Sequence, residues 1–368
     1  MCVAEENGWR MGGCWLDLVA LPVICFAGMF LNICCLIVFF LHRSHPLVPA
    51  LIFLSTFDLL QLLFSIFVLF IPALHDYTLS HPYGLLGQIA YLSTGLLSPL
   101  LLAVNSASIW TICYITVQRH KAILRPLSCL HPPSHQYLPL LLISFAALAF
   151  NGSKWAEFHW YWIEIDIAEE EALRVEMNIT GNHLKWFLAH NASELALNEN
   201  YRRIMDNILY PLLVYGVPLL LLSVLNFQIL THIFSRRAIF DHKKKFAQET
   251  RAVTLLISIV TTFFLCHTGG LAIRFFDHLQ YEDSHSYVLI TDLINLLFNI
   301  NSLTNPLLYF VFTRQFRDLR VSFLHSHFAS PSSRSGESMG DASQYSELRD
   351  LNTPYRTPCL SRLLTAPP

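Results

Sequence analysis

The run LDLVALPVICFAGMFLNICCLIVFFL, from Leu16 to Leu41, holds a single charged side chain, Asp17. Its apolar residues follow one another without the gaps that would leave a polar face for water. A backbone in hydrocarbon must satisfy its own hydrogen bonds, so roughly 20 such residues become a helix spanning a core of about 30 Å. Outward from this run the pattern recurs, and seven spans are read at 17–42, 48–72, 87–118, 136–158, 207–234, 248–275 and 287–311. The composition agrees, with 54% hydrophobic and 14% charged residues against about 25% charged in a soluble domain. A soluble helical protein would have to bury all of these runs at once. The first run is too long for a cleavable signal and reads as a signal anchor. The expected fold class is an all-α membrane protein, a seven-transmembrane helix bundle.

Lys and Arg set its orientation. The segments after spans one, three, five and seven hold Arg43, Arg119, Lys121, Arg125, Arg236, Arg237, Lys243, Lys244, Lys245, Arg251, Arg314, Arg317 and Arg320. Basic residues mark the cytoplasmic side. The expected layout is an extracellular amino-terminal segment 1–16, a membrane domain 17–328 and a disordered cytoplasmic tail 329–368, in a multi-pass plasma-membrane protein. The domain includes TRQFRDLRVSFLHSHF, residues 313–328, whose apolar residues recur at helical spacing and suit a short interfacial helix. The sequons Asn178-Ile-Thr and Asn191-Ala-Ser fall in the long outer loop and are the glycosylation candidates, with Asn151-Gly-Ser near its start.

Asp58 sits deep in span two. An unpaired charge at mid-bilayer costs about 2.5–3.5 kcal/mol on insertion scales, so it needs partners. Asn32, Ser108, Asn301, Ser302 and Asn305 are polar residues in other spans. Two readings stand side by side: a structural polar network between helices, or an oxygen-rich site for a bound sodium ion. Span seven ends Asn305-Pro306-Leu307-Leu308-Tyr309. Proline removes a helical hydrogen bond, Asn305 is expected to satisfy backbone groups freed there, and Tyr309 brings a hydroxyl towards the inner face.

With these residues in view, a resemblance follows. NPLLY after NSLT resembles the NPxxY signature of rhodopsin-like (class A) G-protein-coupled receptors. Asn32, Leu54-Ser-Thr-Phe-Asp58, Gln118-Arg119-His120-Lys121-Ala122-Ile123, Cys266-His267-Thr268-Gly269 and Pro218 are similar to that family's marks in the other spans except the fourth. A narrower likeness, to invertebrate FMRFamide-type neuropeptide receptors, lies in Asn151-Gly-Ser-Lys-Trp-Ala-Glu157, Asn200-Tyr201 and Val217–Asn226. The resemblance implies activation and G-protein roles for Arg119, His267, Pro306 and Tyr309. It implies an extracellular peptide ligand, a heterotrimeric G protein, arrestin at a phosphorylated tail, and membrane lipid as partners, with no nucleic acid.

The departures matter. Gln118 stands where the family has a carboxylate, so the usual pair with Arg119 cannot form there. His267 and Gly269 replace the usual Trp and Pro, which puts the bend of span six in doubt. The family's disulfide from span three to the outer loop is missing: its position falls near Thr94, and no cysteine occurs between 159 and 206. Such a bond contributes about 2–4 kcal/mol, and the loop is therefore expected to be looser. Cys2 and Cys14 are either paired outside or free.

The outer loop interleaves carboxylates with Trp155, Trp160, Tyr161, Trp162, Trp186 and Phe187. That surface suits a cationic peptide ending in Arg-Phe-amide. Glu157 is the principal ligand candidate, with Arg274 and Asp277 at the rim. Other classes fit less well. A receptor-like scaffold without G-protein coupling is compatible with the altered motifs. A small transporter would show internal repeats. No HExxH or GxSxG marks an enzyme, and no cysteine or histidine spacing marks a metal site.

Overall fold

The computed structural model describes residues 15–41, 47–124, 137–166, 184–237, 243–273 and 284–312. Within them run seven helical rods: α1 Leu16–Leu41, α2 Val48–Thr78, α3 Leu85–Leu124, α4 Leu138–Glu157, α5 Glu199–Ile233, α6 Lys243–Ile273 and α7 Ser284–Phe312. All but α6 are long and apolar enough to cross a membrane; α6 carries a shorter apolar stretch, Ile257–Ile273. Together they make a seven-transmembrane bundle.

Each span expected from sequence overlaps one of these rods, and several rods run further. The fifth starts at Glu199, because the Asn198 side chain caps it by accepting from the Asn200 and Tyr201 N–H groups at 3.0 and 3.1 Å. The polar turns that follow extend the helix beyond its greasy part. The second runs on to Thr78 and stops at Leu79, whose left-handed backbone (φ 51°, ψ 30°) ends it.

The helices close a ring. α1 packs on α2, α2 on α3, α3 on α4 and α5, α5 on α6, α6 on α7, and α7 back on α1. α3 is the central post, 67% buried over its apolar window against 17% for α4. The bundle is apolar outside and polar within. Phe26, Phe30, Phe145, Phe227 and Leu265 face outward, while Asn32, Asp58, Ser108, Ser302 and Asn305 are buried. A soluble protein would reverse this; hydrocarbon requires it.

Four turns widen to i→i+5 bonding, at Leu16–Ala20, Ile66–Phe70, Met205–Leu209 and Pro211–Gly216. Each lies just before a proline: Pro22, Pro72, Pro211 and Pro218. A proline ring clashes with the carbonyl four residues back and offers it no N–H. The residue ahead of each proline therefore donates one place further back, as Ile71 N–H does to the Ile66 carbonyl. α6 stays helical through Gly269 and Gly270. A Cβ at Gly270 would lie 2.7 Å from Phe298 Cζ, so this glycine serves the close approach of α6 to α7.

One end of the bundle carries a hairpin. β1, Phe158–Asp166, pairs antiparallel with β2, Leu184–Ala192, in the register Phe158↔Ala192 to Asp166↔Leu184. The interfacial helix expected after Phe312, the tail from 329, the segment 1–14 with Cys2 and Cys14, and Asn178 lie outside the described residues.

Candidate functional site

Midway along the bundle, Asp58 of α2 is fully buried. Ser108 Oγ of α3 donates to its Oδ1 at 2.9 Å, Ser302 Oγ of α7 donates to the same oxygen at 3.2 Å, and Asn305 Nδ2 donates to Oδ2 at 2.8 Å. One carboxylate thus ties three helices. A carboxylate offers about four lone-pair sites, so one stays available beyond these three donors. Asn301 is buried on α7 without a bond to Asp58, and its Oδ1 and that of Asn305 have no hydrogen-bond partner among the described residues.

Asn32 does something the sequence reading assigned to Asn305. Pro306 cannot bond back to the Ser302 carbonyl, and Asn32 Nδ2 donates to that carbonyl at 3.1 Å, and to Gly28 O at 2.9 Å. Asn305 spends its amide on Asp58 instead. The helix continues through Pro306 to Phe312.

Towards the hairpin end, His267 lies fully buried in an aromatic stack. Its ring lies 4.3 Å from Phe263 and 4.9 Å from Phe298, both at 27°, with Tyr215 at 6.0 Å. Nδ1 sits 3.1 Å from the Phe263 carbonyl, so Nδ1 carries the proton. Near the opposite end Tyr309 is buried edge-on against Phe39 at 5.6 Å. Arg119, close to the end of α3, is partly exposed, and no ion pair holds it among the described residues. Its neighbour His120 lies 2.6 Å from Gln228 Oε1 of α5.

Under the hairpin a cavity of about 260 Å³ is lined by Ser98, Leu102, Lys154, Glu157, Phe158, Asp206 and Tyr210. Lys154 Nζ pairs with Glu157 Oε1 at 2.7 Å and Asp206 Oδ1 at 2.6 Å. Tyr201 donates its hydroxyl to Glu157 Oε1 at 2.8 Å. One ammonium between two carboxylates leaves the cluster one negative charge in excess. Glu157 therefore does line a cavity, but as part of a triad. The sequence reading missed Lys154 as its partner and Asp206 as the second carboxylate on that ammonium. The i,i+3 spacing of Lys154 and Glu157 was a local signal for the first; Asp206 lies 52 residues from Lys154. Arg274 and Asp277 lie outside the described residues.

Where it is described, the outer loop packs on α3. His190 of β2 lies on Tyr91 of α3, with ring centroids 3.9 Å apart, and Trp155 Nε1 donates to the Leu96 carbonyl at 3.0 Å. Of the sequons, Asn191 is exposed on β2, whereas Asn151 is buried and donates to the Ala147 carbonyl at 2.8 Å.

The comparisons point one way. The model of the 7 transmembrane receptor (rhodopsin family) matches residues 193–309, from the turn before α5 through Tyr309. A Drosophila melanogaster protein, FMRFamide receptor, is 24% identical over 313 residues, which cover 82% of this chain and 52% of that protein. The chain thus spans about half the length of the curated relative it matches. In motifs, in its ring of seven helices and in both comparisons, the chain is similar to the rhodopsin family of seven-transmembrane receptors.

Proposed function

We propose that this protein is a G-protein-coupled receptor of the plasma membrane, with the hairpin end outside the cell and the Arg119 end facing a heterotrimeric G protein. Its ligand is an extracellular peptide that carries a cation next to an aromatic group, as the Arg-Phe-amide end of an FMRFamide-type peptide does. The observation that carries this reading is the cavity beneath the hairpin. Its charged wall has two carboxylates to one ammonium, so a guanidinium gains where an anion would be repelled. Phe158 and Tyr210 supply aromatic surface in the same cavity. Below it, the His267 stack joins α5, α6 and α7, and the Asp58 network joins α2, α3 and α7.

Asp58, Ser108 and Ser302 fit a sodium ion. Their oxygens are hard donors, Asp58 supplies one negative charge without a cationic partner among the described residues, and one of its lone pairs remains open. Bound there, sodium would stabilise the carboxylate and hold α2, α3 and α7 in one arrangement. Asn178 and Asn191 are the proposed glycosylation sites, and a phosphorylated tail is the proposed contact for arrestin.

The test is a screen of amidated peptides against cells expressing the protein, read as a second-messenger response. A response to peptides ending in Arg-Phe-amide is expected. It should weaken at least about tenfold in potency for Glu157→Gln, the loss of one charge-assisted contact. Arg119→Ala should abolish the response while peptide binding at the surface persists. Binding without any response in the unaltered protein would favour a scaffold instead.

A further inference from the structure

The hairpin is seated on α3 through His190 and Trp160. His190 is the cross-strand partner of Trp160. Its ring lies parallel to Tyr91 at 13°, and Trp160 and Phe158 meet it edge-on at 4.8 and 4.9 Å. Edge-to-face and offset stacks are the favourable arrangements for such rings.

The same two residues also bond through their main chains. The Tyr91 hydroxyl donates to the His190 carbonyl and accepts from the His190 N–H at 2.9 Å. In return, His190 Nε2 lies 3.2 Å from the Tyr91 carbonyl oxygen. A carbonyl only accepts, so Nε2 carries the proton. Each side chain reaches the other's backbone, and the rings lie head to tail. That geometry uses up β2 groups that the hairpin pairing alone would leave to water.

Gly95, one turn further along α3, makes the seat possible. A Cβ there would lie 2.8 Å from Trp160 and 3.0 Å from the His190 ring. Thr94, next to it, turns its hydroxyl back to the Ala90 carbonyl at 2.9 Å and takes no part. No cysteine occurs anywhere from Glu157 to Asp206, so no covalent link can hold this hairpin.

We propose that Tyr91, Gly95, Trp160 and His190 form a noncovalent clamp that holds the hairpin on α3, and that the clamp positions the wall of the cavity. The link is Phe158, which touches the His190 ring and lines the cavity. These are positioning residues: opening the clamp frees Phe158 and exposes the cavity. A clamp of this kind opens without any redox step, so the hairpin is held equally under reducing and oxidising conditions. The proposal stands on the packing alone and does not depend on which ligand the cavity takes.

Two readouts on the full chain, purified in nanodiscs, test it. The first is amide hydrogen exchange of residues 184–192. His190→Ala and Gly95→Ala should speed it at least about tenfold, with exchange in α3 and α7 unchanged. The second is thiol labelling of Ser98→Cys, a cavity position, located by peptide mass mapping. Labelling should accelerate with His190→Ala and stay near the unaltered rate with His190→Phe, which keeps the stack. Unchanged hairpin exchange in both alanine variants, or labelling as slow in His190→Ala as without it, overturns the proposal. If those variants also loosen α3 and α7, Tyr91→Phe decides. It removes a single oxygen, and faster hairpin exchange supports the clamp while unchanged exchange refutes it.

Discussion

Asp58 sets the chemistry of the bundle's interior because it is the residue that lipid tolerates least. Its three donors come from Ser108, Ser302 and Asn305. Sodium at the remaining lone pair should raise the melting temperature of the purified protein relative to choline at equal ionic strength. The gain is about 1.4 kcal/mol when sodium is at ten times its dissociation constant, and Asp58→Asn should remove it. Identical melting curves in the two salts would leave the network purely structural. A second residue-scale expectation concerns Gln118. With no carboxylate beside Arg119, the resting arrangement lacks one restraint, so Gln118→Glu should lower ligand-free signalling at matched surface expression. Equal basal output in the two proteins would count against it. Asp58 was legible in the sequence because a charge in an apolar run demands partners, and Ser108, Ser302 and Asn305 were among the polar residues that the other runs offered. Lys154 with Asp206, and Tyr91 with His190, were not legible. Their partners lie 52 and 99 residues apart, and nothing local marks either pair.

At the scale of elements, proline decides where the rods depart from regular bonding. Before Pro22, Pro72, Pro211 and Pro218 the helix adds a residue to the turn. At Pro306 it does not, and a side chain from α1 repairs the gap. This gives a double-mutant cycle. Asn32→Ala should cost about 1–3 kcal/mol, since a buried carbonyl loses its donor. In a Pro306→Ala background, where residue 306 regains its own N–H, the same change should cost under about 1 kcal/mol. Equal costs in both backgrounds, measured by thermal denaturation, would disprove the repair. The spans themselves were readable because hydrophobic length is a local property. Their ends were less so: the cap at Asn198 and the left-handed Leu79 are single-residue events outside the greasy core. The hairpin escaped the sequence reading because its two strands are separated by the acidic stretch 167–183, which hides their register.

For the whole molecule, the ring of helices fixes which surfaces meet lipid. Asn191 is exposed on β2 and Asn151 is buried in the bundle. In a cell making the protein, Asn191→Gln should shrink a glycosidase-sensitive mass shift and the double change Asn178→Gln with Asn191→Gln should abolish it, whereas Asn151→Gln should leave that shift in place. If Asn191 carries no glycan and tags in the hairpin are reached only from the cytosol, the orientation proposed here is inverted.

The Asp58 network also implies an order of assembly. A ribosome delivers α2 and α3 early and α7 last, so through most of synthesis the carboxylate holds one serine and lacks its two donors from the final helix. The nascent chain therefore carries an unsettled anion in the bilayer until its last span arrives. A product that stops short of Ser302 should be recognisable to membrane quality control by that defect.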